Sequence, residues 1–212
     1  MSRSELDLVL GEVRDLSERY KAGGPEAFDA FRELTARLLS LSVAAPYATV
    51  ILSVGPRGRD TQVLSGRRGI GDPLPLNENR GYLRLIMTLA LVPVEGRRLL
   101  KVMDAGYQYQ LDEAGDRWVF RYDYRRVPPD PHPAAHLQIR ATPEEGCLPP
   151  NRPLARIHFP SGRVSIEAVI RLLADQFGVP CNRGPILWRP VLAESERIFH
   201  EIAHLPPSGP ER

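Results

Sequence analysis

The chain has 212 residues, 42% of them hydrophobic and 25% charged, with 28 basic against 26 acidic side chains, which fits a globular protein and excludes collagen, coiled coil and wholesale disorder. No stretch approaches the roughly 20 apolar residues of a membrane span, and acids interrupt the N-terminus where a secretory signal would be apolar. A cytoplasmic protein with no membrane partner is therefore expected, and Cys147 and Cys181, too few for a disulfide framework or a Cys-based zinc site, read as free thiols.

The length suits one domain, or one with a helical appendage. Residues 1–45 carry two helical stripes. Leu6, Val9, Val13, Leu16 and Tyr20 recur at helical spacing, Gly23-Gly24-Pro25 breaks the run, and Phe28, Phe31, Leu34, Leu38 and Leu41 resume it. This predicts an N-terminal helical hairpin.

Residues 46–205 form the main unit, and its first part has strand character. Strands are expected at 47–54, 61–64, 82–92, 97–103, 107–111, 117–126, 136–141 and 155–159, with a loop at 69–80 marked by Gly, Pro and Asn. The segment Asp112 to Asp116, with Gly115, is a hairpin turn, and the short connections imply an antiparallel meander. Ser165 caps a helix through Phe177 with Gly178 as its stop, a Pro-rich connector spans 180–190, and a last helix covers 192–204. Residues 206–212 read as a tail. The expected fold is α+β: a curved antiparallel sheet of six to eight strands, with the helical pair and the 165–178 helix over its aromatic face.

Alternate strand residues point to opposite faces. In 117–125, Trp118, Phe120, Tyr122 and Tyr124 fall on one side and Arg117, Val119, Arg121, Asp123 and Arg125 on the other. His136, Gln138 and Arg140 oppose Leu137, Ile139 and Ala141, and Arg156 and His158 oppose Ile157 and Phe159, with Arg163 at the polar margin. Were these strands neighbours, the polar sets would pool into one surface, whose guanidiniums and imidazoles repel one another unless an anion neutralises them. The aromatic set reads as core. All but two of the 28 basic residues are Arg, the side chain that grips phosphate bidentately, although a net charge of +2 is by itself no nucleic-acid signature. His136, His158 and Arg121 are the catalytic candidates, because metal-independent RNA cleavage requires a base, an acid and a cation. Arg125, Arg140, Arg156, Gln138 and His132 are the phosphate-holding candidates.

The run Tyr107-Gln-Tyr-Gln110-Leu-Asp-Glu-Ala-Gly115-Asp-Arg-Trp-Val-Phe120-Arg-Tyr-Asp123, followed by His132-Pro-Ala-Ala-His136-Leu-Gln-Ile, resembles the core of the TumE-like toxins of bacterial toxin-antitoxin pairs. The step Phe159-Pro-Ser-Gly-Arg-Val-Ser-Ile-Glu is similar to their strand-to-helix passage. The resemblance covers about a third of the chain and implies a toxin acting on RNA and neutralised by a helix-turn-helix antitoxin. Here the histidine cluster is reduced to His132 and His136, and N-terminal helices and extra strands enlarge the chain.

His200-Glu201-Ile-Ala-His204 matches the zincin helix motif, in which histidines one turn apart hold zinc and the Glu activates water. Little sequence follows to supply a third ligand, and Ile198 and Ile202 explain the segment as a packing stripe. The Gly66 to Gly71 run lacks the Lys-Ser/Thr ending of a phosphate loop. The leading expectation is thus a toxin-like or defence-associated protein acting on RNA without a cofactor. The alternatives are a non-enzymatic protein-interaction or nucleic-acid-binding component and, third, a zinc hydrolase using His200, Glu201 and His204.

Overall fold

Residues 3–66, 69–129, 133–140 and 159–203 are described by a computed structural model. The two apolar stripes near the N-terminus form α1 (Arg3–Ala22) and α2 (Glu26–Leu41), which pack on each other. Their connection requires glycine: Gly23 has φ 79°, and a Cβ there would lie 2.2 Å from the Arg98 carbonyl oxygen. The next amide, Gly24 N–H, donates to that same oxygen at 2.8 Å, which docks the helical pair onto the sheet.

The strands are β1 (Val50–Gly55), β2 (Gly58–Gly66), β3 (Leu74–Pro75), β4 (Tyr82–Val94), β5 (Arg97–Gln110), β6 (Trp118–Arg125), β7 (Ala135–Ile139) and β8 (Phe159–Pro160). All pairings are antiparallel, in the order β1-β2-β4-β5-β6-β7-β8, with β3 on β4, as an α+β meander requires. Of the strand expected at 155–159 only Phe159 lies within the described residues, and among those residues two differences from the expected strands stand out. Segments 97–103 and 107–111 are one strand, because a bulge opposite Thr88 and Leu89 absorbs the irregular stretch without ending the pairing. The stretch read as loop contains β3, held by the buried Leu74 and Leu76.

The last third contains α3 (Ile166–Asp175), capped as expected by Ser165, whose Oγ accepts from Ala168 N–H at 3.1 Å, and α4 (Pro185–Ala203). Helix α4 starts well before the expected position. Proline is favoured at a first helical position, and although Pro190 inside the helix forgoes one hydrogen bond, burial of Leu187, Trp188, Val191 and Leu192 offsets the loss. Among the described residues, no helix is long and apolar enough to cross a membrane.

One core cluster runs from Val9 to Ile198. The sheet contributes Leu83, Leu85, Met87 and Leu89 of β4, Tyr107 and Tyr109 of β5 and Phe120 of β6. The ring of Phe177, just beyond α3, meets Tyr109 edge-on at 5.0 Å and Phe120 at 5.4 Å, so the helices cover the aromatic face.

Two asparagines tie this layer together at the end of α2. Asn77 Nδ2 donates to the carbonyls of Ser42 and Pro180 at 2.9 and 2.8 Å, and Asn182 Nδ2 donates to those of Ser40 and Ala44 at 3.0 and 2.7 Å. They satisfy carbonyls that a helix end leaves open. Truncating Asn77 to Ala strands the Pro180 carbonyl, so Asn77→Ala should lower unfolding free energy by about 1–3 kcal/mol in urea titration; an unchanged midpoint would contradict this role.

Glu167 is buried in the first turn of α3, its Oε1 accepting from Ser195 Oγ at 2.6 Å, and burial pushes its carboxyl above the usual range. A carboxyl raised in the folded state contributes stability below its unfolded value that is lost as pH rises through its folded value. Glu167→Gln, which does not titrate, should therefore raise the melting temperature at about pH 8 and change it little at about pH 4. A gain that is equal at both pH values would argue against a neutral buried Glu167.

Candidate binding cleft on the open sheet face

Register brings three cross-strand rows onto the sheet face opposite the helices. One row is Arg84, Gln108, Arg121 and Gln138; the next is Ile86, Gly106, Asp123 and His136; the third is Thr88, Asp104 and Arg125. Directly opposed residues of an antiparallel pair share a face, so these side chains converge. They line a cavity of about 630 Å³, walled by Pro128, Pro129 and Pro133 of the β6–β7 connection. Gly106 keeps the floor low beside Asp123, whose Oδ1 would lie 3.3 Å from a Cβ at that position.

Carboxylates organise the cleft. Arg121 Nε donates to Asp123 Oδ2 at 2.7 Å, and that oxygen lies 3.7 Å from His136 Nε2. The side chains of Asp123 and His136 are only 20% and 14% exposed, so their interaction is less screened than a surface pair. Arg125 Nε donates to Asp104 Oδ1 at 3.0 Å. Arg84 has no ion-pair partner among the described residues; the loop at Gly71 passes over it, a Cβ there falling 3.0 Å from Nη2. With three guanidiniums facing two carboxylates, the cleft remains net positive.

Of the candidates named from sequence, His136, Arg121, Arg125 and Gln138 line this cleft together. Arg140 does not: just past β7, its Nη1 donates to the Asp116 carbonyl at the β5–β6 turn. Arg163 also departs from the expected polar margin. It lies on the helix-covered side, its guanidinium 4.7 Å from the Tyr124 ring centroid and 4.6 Å from that of Phe199. Val119 leaves the polar set as well, because a register shift opposite Tyr109 and Gln110 turns it against the core. His132, Arg156, His158 and His204 lie outside the described residues.

The repulsion expected among clustered cations is relieved in part by the protein's own Asp104 and Asp123. Sequence reasoning left Asp123 without a role and omitted Asp104, Arg84 and Gln108. The signals were present: Arg84 interrupts an otherwise apolar strand, and Gln108 alternates between two buried tyrosines.

The zincin-like segment is engaged otherwise. Glu201 accepts from Lys21 Nζ at 2.8 Å and pairs with Arg197, and these cations, Lys21 foremost, hold its carboxyl below the usual range. No group of three His, Cys, Asp or Glu side chains could share a metal ion among the described residues.

No family model, curated protein or solved structure matches the chain.

With Glu201 committed to two cations, the protein purified from zinc-supplemented medium should carry far less than one zinc per chain by atomic emission. Stoichiometric zinc that is lost in His200→Ala would overturn the reading of α4 as structural.

Proposed function

We propose that the cleft binds the phosphodiester backbone of RNA and that His136 transfers the proton in a metal-independent cleavage. The observation that carries this reading is the Asp123 carboxylate set between Arg121 and His136, with the uncommitted Arg84 in the Arg121 row. A carboxylate facing an imidazole stabilises its protonated form. A neighbouring guanidinium offers charge where a phosphorane develops it.

RNA supplies its own nucleophile. The 2′-oxygen attacks phosphorus as His136 takes its proton, the P–O5′ bond breaks, and the imidazolium returns the proton to the departing 5′-oxygen. The products are a 2′,3′-cyclic phosphate and a 5′-hydroxyl. His158, the other acid/base candidate, would divide this labour if it reached the cleft. The resemblance to TumE-like toxins supports the same reading and adds a helix-turn-helix antitoxin as the protein partner of a cytoplasmic toxin. The second reading, binding without cleavage, is favoured by the two internal ion pairs, which leave fewer cations for catalysis.

The test is incubation with end-labelled RNA in EDTA. Wild-type protein should cut, His136→Ala should be slower by about a hundredfold or more, and Arg84→Gln with Arg121→Gln should weaken binding and flatten its salt dependence. RNA that stays intact but is bound through Arg84 and Arg121 would leave the binding reading; RNA neither bound nor cut would end both.

A further inference from the structure

Past the Arg125–Asp104 pair, the same sheet face continues into a second hollow of about 590 Å³. Ile86, Thr88, Asp104 and Arg125 line both hollows, so the two are contiguous and the ion pair stands at their boundary. Their chemistry differs. The first gathers guanidinium, carboxamide, carboxylate and imidazole groups among tyrosine and proline walls, whereas the second sets Val63, Ile70, Met103 and Val127 beside Arg57 and the shared Arg125. Ile70 and Val127 come from the loops after β2 and β6 and are 60% and 76% exposed, which is large for aliphatic side chains flanking a hollow.

The second hollow is not purely apolar. Thr61 and Thr88 bring hydroxyls, Asp104 a carboxylate, and Arg57 and Arg125 guanidiniums to the same space. A hydrocarbon chain there would cover these groups without giving them a partner, at a cost in free energy. A nucleobase satisfies both demands: its faces are apolar and its edge carries N–H donors, for which a carboxylate is a suitable acceptor. Bases are held between apolar as well as aromatic side chains. The spacing also suits. Thr88 on β4 lies two strands and four residues from Arg121 on β6, a backbone separation of about 16 Å, which the extended Arg121 side chain and a nucleotide span together.

We propose that this mixed aliphatic and polar hollow is a base subsite, occupied by the nucleobase of the nucleotide whose phosphate rests on Arg121 and Arg84. The proposal depends on the phosphate-binding reading of the cleft and adds the recognition of the base to it. It makes the ligand a single-stranded segment, because a base stacked within a duplex is not free to enter.

The experiment is calorimetric titration of the full chain with ribose 5-phosphate, the four nucleoside 5′-monophosphates and decyl phosphate. At least one nucleotide should bind about tenfold or more tightly than ribose 5-phosphate. The double variant Ile70→Ser/Val127→Ser should lose that gain and keep its affinity for ribose 5-phosphate; both side chains are exposed, and an unchanged unfolding midpoint verifies the fold. Equal affinity for ribose 5-phosphate and every nucleotide, or a gain that survives in the double variant, would overturn the base subsite and leave the phosphate site standing. Decyl phosphate binding more tightly than every nucleotide would overturn it in favour of an alkyl occupant. If no phosphate compound binds, the phosphate reading falls and the base subsite with it.

Discussion

The one-sided burial of the sheet constrains everything else in the molecule. Leu83, Leu85, Met87 and Leu89 point into the helical layer, and with them Tyr107, Tyr109 and Phe120 from the adjoining strands. A strand has a side-chain period of two, so placing one set in the core leaves the other set no choice of direction. Arg84, Gln108, Arg121 and His136 share a face because their neighbours in sequence are apolar. A slip of one residue in β6 would drive Arg121 and Asp123 under α3 and expose Phe120, burying charge without solvent. The polar cleft is therefore a geometric consequence of the core.

The helical layer that enforces this arrangement is held at a few points. Gly23 and Gly24 dock the α1–α2 turn on Arg98, and Asn77 and Asn182 gather the end of α2, the turn before β4 and the α3–α4 connector. Helix ends buried without such partners are costly, and here side chains distant in sequence supply them. Cations on this covered side are handled differently from those in the cleft. Arg163 stacks between two rings; in β5, burial, with the nearby Arg126 and Arg163, pushes the Lys101 amine down to about 8.

Much of this was legible in the residues. The α+β class, the helical hairpin, the β5–β6 turn around Gly115 and the sorting of β6 and β7 into two faces all follow from periodicity and turn chemistry, since those segments are locally consistent. What escaped depends on distant partners. The strand β3 is two residues long and exists because Leu74 and Leu76 find buried places, a fact no local pattern carries. The bulges that merge two segments into β5 and turn Val119 inward are set by the facing strand. Helix α4 begins amid prolines that locally argue against it. At the site, strand parity placed Arg121 with His136, but it could not show that Asp104 and Asp123 would meet the guanidiniums. Which side chains in a row touch depends on register and twist, not on parity.

That last difference changes how the cleft should work. A face of unopposed guanidiniums would bind any polyanion and would repel itself when empty. Here Asp123 fixes Arg121 in place and faces His136, and Asp104 does the same for Arg125. Anchored cations lose little conformational freedom when a ligand arrives, and the neighbouring Pro128, Pro129 and Pro133 have little to lose. Internal carboxylates also compete with an incoming anion, so the proposed phosphate would have to add contacts to guanidinium nitrogens that the aspartates leave open. Both pairs engage Nε, the side of the guanidinium nearest the chain, which leaves terminal nitrogens able to meet a ligand. The arrangement trades affinity for defined geometry, which suits the proposed cleavage, where a phosphorus would lie next to one imidazole, better than it suits a surface that holds nucleic acid at large.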